Sequence, residues 1–157
     1  MKVNPIQKLR NAANGFTLVE VLIALVIMSV RMLGIAGLYV HSMQAARTSL
    51  FRHQAVTLAG DVADRIRANP RAGAGYMVAG ADNSCIDGGL DCTPAEMAES
   101  DILDWQDQAG DTLPAGAVAI LFNNGVAPST YRITVTWNEA GQNPPPQYQI
   151  TIPVFGI

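Results

Sequence analysis

Charged residues are scarce in this chain of 157 residues, and positive charge is almost missing from its second half. Charged residues make up 15% of the sequence and hydrophobic residues 49%, whereas disordered chains are polar and highly charged. The net charge of −3 excludes a basic nucleic-acid-binding protein. The length permits one domain with a substantial core. We therefore expect a small folded domain with no nucleic-acid partner.

Cysteine and histidine are also rare. Two cysteines, Cys85 and Cys92, are too few for a disulfide-rich scaffold, but in an oxidising compartment such a pair forms a disulfide that closes a small loop. A metal site built on this pair would need further ligands nearby, and both histidines, His41 and His53, lie on a predicted long helix. We therefore expect no metal site and no cofactor.

The region after this helix carries no pattern typical of an active site. It contains no histidine and no nucleophile motif, and its carboxylates are scattered through predicted loops. A periplasmic enzyme tethered by its helix is an alternative that nothing in the sequence supports. We expect no catalytic residues and no enzyme activity.

Hydrophobic residues concentrate in segment 16–40, which is long enough to span a bilayer, because about 20 apolar residues suffice. Every charge before this segment is positive, at Lys2, Lys8 and Arg10. After Arg71, Arg132 is the only remaining cation among ten carboxylates. By the positive-inside rule, the N-terminus is expected in the cytoplasm and the C-terminal domain in the periplasm, as in a single-pass inner-membrane protein.

Two ionisable residues interrupt the apolar segment. Glu20 would cost about 2 to 3 kcal/mol near the bilayer centre, so a plain membrane anchor does not explain it. A cleavable secretory signal does not fit either, because no small-residue cleavage site follows. Arg31 has two interpretations: its guanidinium reaches the periplasmic interface while its stem covers apolar surface, or it contacts a partner subunit.

The residues around Glu20 resemble the signal sequence of the type IV pilin-like family. The matching run is Gly15-Phe16-Thr17-Leu18-Val19-Glu20. In that family a prepilin peptidase cuts after the glycine, and the new N-terminal residue is methylated. The resemblance implies cleavage between Gly15 and Phe16 and N-methylation of Phe16. It also implies that Glu20 pairs with the α-amino group of a neighbouring subunit during assembly, since a buried amine without a partner is costly.

Four further segments are similar to minor pilins of the type IV pilus modification protein type: 34–38, 63–70, 92–94 and 113–116. This resemblance implies a subunit that primes pilus assembly and supports piliation and twitching motility, in the pilus or at its tip. The implied partners are other minor pilins, the major pilin, a tip adhesin and the inner-membrane assembly platform. Arg31 departs from the pattern, in which glycine is usual. The alternative function is a minor pseudopilin of a type II secretion system, which shares the signal and the architecture.

The hydrophobic patterns predict an α+β, pilin-like fold. A leader (1–15) precedes a long helix with a transmembrane half (16–40) and an amphipathic half (41–69), and a periplasmic domain (70–157) follows. Apolar residues recur along the amphipathic half at helical spacing, at Phe51, Ala55, Leu58, Val62 and Ile66. Asn69-Pro70 ends this helix, and Gly73 and Gly75 predict a loop.

The remaining elements belong to the globular domain. Thr93, Pro94 and Glu96 match a helix N-terminus, and the helix is expected to reach about Gln108. Residues 116–122, 130–138 and 147–154 show strand patterns, with alternate residues apolar in the last two. Three such strands form an antiparallel sheet with one apolar face, which is expected to pack on the amphipathic half of the long helix.

Overall fold

The computed structural model describes residues 15–85 and 91–155. In chain order its elements are helix α1 (Leu18–Ala68), a 3-10 helix (Pro70–Met77), helix α2 (Pro94–Thr112) and strands β1 (Ala117–Asn123), β2 (Ser129–Thr136) and β3 (Gln147–Val154). The predicted α+β architecture, with a long N-terminal helix and a three-stranded antiparallel sheet, is confirmed. The chain divides into two compact units, Met1–Gln44 and Ala45–Ile157. Most of the predicted leader (1–14) lies outside the described residues, and the predicted segment boundaries stay predictions.

In the second unit, α1 buries one face in the core, as its periodicity predicts. Ala55, Leu58, Val62 and Ile66 are buried and Phe51 is partly buried. The helix ends before Asn69-Pro70, also as predicted.

The predicted loop after α1 is wrong, because Pro70–Met77 forms a 3-10 helix. Gly73 interrupts it at φ 51° and ψ −122°, a backbone conformation that favours glycine, so the glycine signal marks a kink. The kinked helix buries Tyr76. Its ring stacks on Trp105 at 5.8 Å and meets Tyr131 edge-on at 5.9 Å.

The sheet has the strand order β1-β2-β3, and both strand pairs are antiparallel. The central strand buries Tyr131, Ile133 and Val135, and Trp137 directly after it is buried too. Ile133 lies opposite Ile120 on one side and Ile150 on the other. The three strands agree with the predicted segments within two residues, and the predicted apolar face is confirmed.

Helix α2 begins with a capping box, as predicted. The Thr93 hydroxyl accepts a hydrogen bond from the Glu96 N–H at 3.3 Å, and the Glu96 carboxylate accepts one from the Thr93 N–H at 2.8 Å. The same carboxylate also accepts a 2.8 Å hydrogen bond from the Thr93 hydroxyl. The bonds from the Thr93 N–H and the Thr93 hydroxyl to the carboxylate lower the pKa of Glu96, because both favour its charged form. The helix runs to Thr112, four residues past the predicted end, and buries Trp105 and Ala109.

A charged cluster joins α1 to α2. The Arg65 guanidinium lies 3.3 Å from the carboxylate of Asp61, four residues earlier on the same helix, and 2.9 Å from the buried carboxylate of Asp101. Asp101 also accepts a 3.3 Å hydrogen bond from the Tyr76 hydroxyl. Partial burial works to lower the pKa of Arg65, but the Asp101 hydrogen bond and the nearby carboxylates outweigh it and raise that pKa. The cluster therefore ties the two helices and the 3-10 helix together.

Candidate functional site

The proposed cleavage junction lies just outside the first helix. Gly15, Phe16 and Thr17 have no regular secondary structure, and α1 begins at Leu18, two residues later than predicted. Gly15 is exposed and Phe16 is 81% exposed. The bond between Gly15 and Phe16 is therefore accessible without unwinding a helical turn.

Thr17 explains why the helix begins where it does. Its carbonyl accepts hydrogen bonds from the N–H groups of Glu20 and Val21, at 3.1 and 3.3 Å, and its hydroxyl accepts one from the Glu20 N–H at 3.3 Å. Thr17 is thus the N-cap of α1. The signal that could have found it is the spacing Thr-x-x-Glu before an apolar run, but the predicted helix start at Phe16 overlooks it.

Glu20 lies in the first turn of α1, where a carboxylate interacts favourably with the helix dipole. Its side chain is exposed on an apolar surface formed with Phe16, Val21, Ala24, Leu25 and Met28. Within residues 15–85 and 91–155, no ion pair involves Glu20. The Glu20 carboxylate is therefore accessible, on an otherwise apolar surface, to a positively charged group of another molecule.

The first half of α1 is exposed along its whole length. Its large apolar residues, from Leu18 to Val40, are between 47% and 85% exposed. In the part of the chain that the structure describes, α1 is the one helix long and apolar enough to cross a membrane. Arg31 is exposed on this helix, and no ion pair of the described residues involves it. Such a surface requires lipid or other apolar helices around it.

The Cys85–Cys92 disulfide is confirmed, with the two Cα atoms 5.8 Å apart. The residues that it encloses, 86–90, lie outside the described part of the chain. Asn83, just before the loop, donates hydrogen bonds to the Glu96 carbonyl at 3.1 Å and the Glu99 carboxylate at 2.9 Å. These bonds and the disulfide hold the segment before the loop against the first turns of α2.

The described residues show no grouping of side chains typical of catalysis or metal binding. No set of three or more His, Cys, Asp or Glu residues among them is arranged to hold a metal ion. His41 and His53 are exposed on α1. The candidate site is therefore the start of α1, where Gly15, Phe16 and Glu20 lie.

Two family models match adjacent segments of the chain. Residues 10–36 match the prokaryotic N-terminal methylation motif, and residues 37–103 match the model described as type IV pilin Tt1218. The first match contains Gly15, Phe16, Glu20 and Arg31, and the second contains the amphipathic half of α1, the disulfide and the start of α2. No curated protein and no solved structure gives a match.

Proposed function

Because the chain is a type IV pilin-like protein, we propose that it is a minor pilin that primes or supports assembly of the type IV pilus. Piliation and twitching motility would then depend on it. Type IV pilins are structural subunits and not enzymes. The minor role is supported by the resemblance of four segments to pilus modification proteins.

The observation that carries the proposal is the junction before α1. A peptidase needs a peptide bond outside regular structure, and the exposed bond between Gly15 and Phe16 meets that need. Cleavage there would leave Phe16 as the N-terminal residue, which is the substrate for N-methylation. Thr17 and Glu20 remain in the product, so the N-cap of α1 would survive processing.

Glu20 is proposed to guide assembly. Cleavage creates an α-amino cation beside an apolar helix, and a carboxylate of a neighbouring subunit is its natural partner. The exposed Glu20 carboxylate, on an apolar surface, fits this role, since pairing of buried opposite charges specifies register between helices.

The membrane arrangement follows from the same features. The apolar half of α1 would anchor the protein in the inner membrane before assembly and lie in the filament core afterwards. The C-terminal unit would then face the periplasm, where the disulfide can form. Prepilin peptidase, the assembly platform, other pilins and a tip adhesin are the proposed partners.

Deletion of the gene tests the function. Sheared surface pili and secreted hydrolases are quantified in the deletion strain and in the same strain carrying the cloned gene. Lost or sharply reduced pili with normal secretion, restored by the cloned gene, are expected. Normal pili with failed secretion would contradict the proposal and favour a minor pseudopilin of a type II secretion system.

A further inference from the structure

We propose that the free edge of strand β1 binds an extended, basic segment of a partner protein by β-strand addition. Apolar side chains of that segment would enter the cleft between β1 and α2. The surface lies within the C-terminal unit and is separate from the candidate site at the start of α1. Binding there depends neither on cleavage at Gly15 nor on packing of the apolar half of α1.

Alternate residues of β1 direct their backbone groups away from β2. The Phe122 N–H donates a 3.2 Å hydrogen bond to the Met77 sulfur, outside the sheet. Successive residues of an antiparallel strand point their N–H and C=O groups to opposite sides. Val118 and Ile120 therefore direct theirs to the free edge as well. Among the described residues, no hydrogen bond from another element reaches these groups.

The register of β2 agrees with this direction. Val118 lies opposite Val135. Two residues after Val135, the Trp137 N–H donates a 3.2 Å hydrogen bond to the Pro146 carbonyl, on the side of β3. Val135 therefore bonds to β3 and not to β1, by the same alternation. The backbone groups of Val118, and likewise of Ile120, are thus free to pair with an added strand.

A cleft of about 230 Å³ adjoins this edge, lined by residues from the 3-10 helix, α2 and β1. Its lining includes the buried rings of Tyr76 and Trp105 and the exposed residues Val78 and Gln106. Pockets for small molecules usually measure about 300 to 1,000 Å³, so this cleft is small for a ligand. It suits single apolar side chains, which an added strand presents at every second residue.

The chain around the cleft carries negative charge and no positive charge. Between Arg71 and Arg132 the sequence contains nine carboxylates and no lysine or arginine, and every residue that lines the cleft belongs to this segment. Asp107, next to Gln106 of the lining, is exposed, and no ion pair of the described residues involves it. Lysine or arginine in the added segment complements this charge.

The other edge of the sheet is less suited to strand addition. Pro153 lies opposite Thr130, a position where β2 directs its backbone groups to β1 and not to β3. Pro153 therefore faces the free edge of β3, where it has no N–H to donate. Proline on an edge strand blocks pairing with a further strand. The edge of β1 is thus the one open to a partner.

Binding of a synthetic peptide to the full-length chain in nonionic detergent tests the charge of the partner. The probe is a fluorescein-labelled heptapeptide in which lysine and valine alternate, and binding is followed by fluorescence anisotropy. Saturable binding is expected. The matched peptide with glutamate in place of lysine should bind about tenfold more weakly or less, because like charges repel across an interface. Equal affinity of the two peptides would overturn the assignment of a basic partner.

Backbone methylation of the probe tests strand pairing at constant charge. Methyl groups on the valine amides block antiparallel addition to β1, and those on the lysine amides block parallel addition, because alternate residues face opposite edges. One methylated peptide should therefore lose about tenfold in affinity, through lost hydrogen bonds, and the other should keep most of it. Equal affinity of the two methylated peptides would overturn the proposal.

Variants of the chain test the edge. Val118→Pro removes an N–H from the free edge of β1 and should weaken binding about tenfold, whereas Thr151→Pro, on the free edge of β3, should leave it unchanged. Urea unfolding checks that both variants are folded, and the methylated peptides decide the question if Val118→Pro is not. Exchange of the Val118 and Ile120 amide hydrogens, measured by mass spectrometry, should slow when the peptide is added.

Unchanged exchange of these amides in the saturated complex would overturn the proposal. Slow exchange without peptide, increasing with protein concentration, would also overturn it and assign the edge to a second copy of the chain. The outcome is separable from that of the gene deletion. Pili that are lost on deletion, without peptide binding at β1, would leave the minor-pilin function standing and remove only this surface.

Discussion

Single residues decide the chemistry at the start of α1, and glycine at position 15 is the first of them. Gly15 is exposed, and among the described residues, its chain neighbours apart, no atom lies within 4 Å of the position that a Cβ would occupy. A larger residue there would meet none of the described residues beyond its neighbours, so we expect an effect of substitution on processing to arise in the proposed peptidase. Glycine is therefore expected to be a requirement of the enzyme that cuts the chain.

Gly15→Val is expected to leave the full-length precursor in the membrane, because a branched side chain at the cleaved bond blocks entry to a site shaped for glycine. Immunoblotting of membrane fractions measures the sizes of precursor and product. Asn14→Val, one residue earlier, is the matched control and should be processed. A mature-sized product from Gly15→Val would disprove the assignment of the cleavage site.

Glu20→Ala should leave cleavage largely intact and reduce incorporation of the chain into pili. Alanine is a good helix former, and the main-chain and hydroxyl bonds of the Thr17 cap do not use the Glu20 carboxylate. What the variant loses is the charge proposed to meet the α-amino group of a neighbour. The measurement is the amount of this chain in sheared pili relative to membranes, with Val19→Ala as control. Normal incorporation of Glu20→Ala would contradict the pairing argument.

Ionisation of the Tyr131 hydroxyl should lower the free energy of unfolding at alkaline pH. Burial raises the pKa of Tyr131 to about 12, from its ordinary value of about 10. The folded state therefore keeps the phenolic proton that the unfolded state releases. The resulting stabilisation is complete below pH 10 and is lost as the pH rises to about 12. Burial and then the charge of Asp101 raise the pKa of Tyr76 in the same direction.

Tyr131→Phe should accordingly weaken the loss of stability above pH 10. It should also cost about 1 kcal/mol at neutral pH, because the Tyr131 hydroxyl donates a 2.7 Å hydrogen bond to the Gly73 carbonyl. Urea unfolding of the detergent-solubilised chain, followed by fluorescence of Trp105 and Trp137, measures both effects. Tyr148→Phe, at a partly exposed site, is the control. An unchanged pH profile in Tyr131→Phe would refute this role for Tyr131.

At the scale of elements, the charged cluster between α1 and α2 has one buried member. Asp101→Ala should lower the free energy of unfolding by about 1 to 3 kcal/mol, since leaving a buried hydrogen-bonding group without its partner costs about that much. The variant leaves the Arg65 guanidinium and the Tyr76 hydroxyl without the acceptor that they share. Asp104→Ala is the matched control, because that carboxylate is 48% exposed and 3.6 Å from Arg65. Its effect should be under about 0.5 kcal/mol. Equal losses in the two variants would contradict this account.

Elements with a strong local signal could be predicted from the sequence, and the others could not. Periodicity gave the buried stripe of α1 and the inward residues of β2, because alternation and helical spacing are properties of the chain itself. The extension of α2 past Gln108 depends on tertiary contact: Ala109 is buried, and its carbonyl would lie 2.1 Å from a Cβ at position 116, where only glycine fits. The 3-10 helix depends similarly on burial of Tyr76.

The candidate site shows the same division. Gly15, Phe16 and Glu20 are predicted from their order in the sequence, because the proposed peptidase would recognise a local motif, and their roles stay predictions. The N-cap at Thr17 could have been predicted from the same run. The hydrogen bonds of Asn83, before the disulfide loop, to Glu96 and Glu99, after it, join residues that no local pattern connects.

At the scale of the whole molecule, the proposed orientation in the membrane would couple the charges before the apolar segment to formation of the disulfide. Three basic residues precede the apolar segment and no acidic residue does. Positive charges close to a membrane span hold that side in the cytoplasm, whereas charges in a long domain contribute little. Oxidation of Cys85 and Cys92 then reports that the domain has crossed the membrane, because the cytoplasm keeps thiols reduced.

Replacing Lys2, Lys8 and Arg10 with glutamine should therefore leave a substantial fraction of chains with reduced cysteines. Cells are quenched in acid, free thiols are alkylated with a maleimide of large mass, and the membrane fraction is immunoblotted. The unaltered chain should show no mass shift before chemical reduction, and the triple variant should show one. Arg132→Gln removes a positive charge from the domain and should behave like the unaltered chain. A triple variant that is inserted in the membrane and fully oxidised would show that these three charges do not set the orientation. The apolar segment or the acidic domain would then have to determine it.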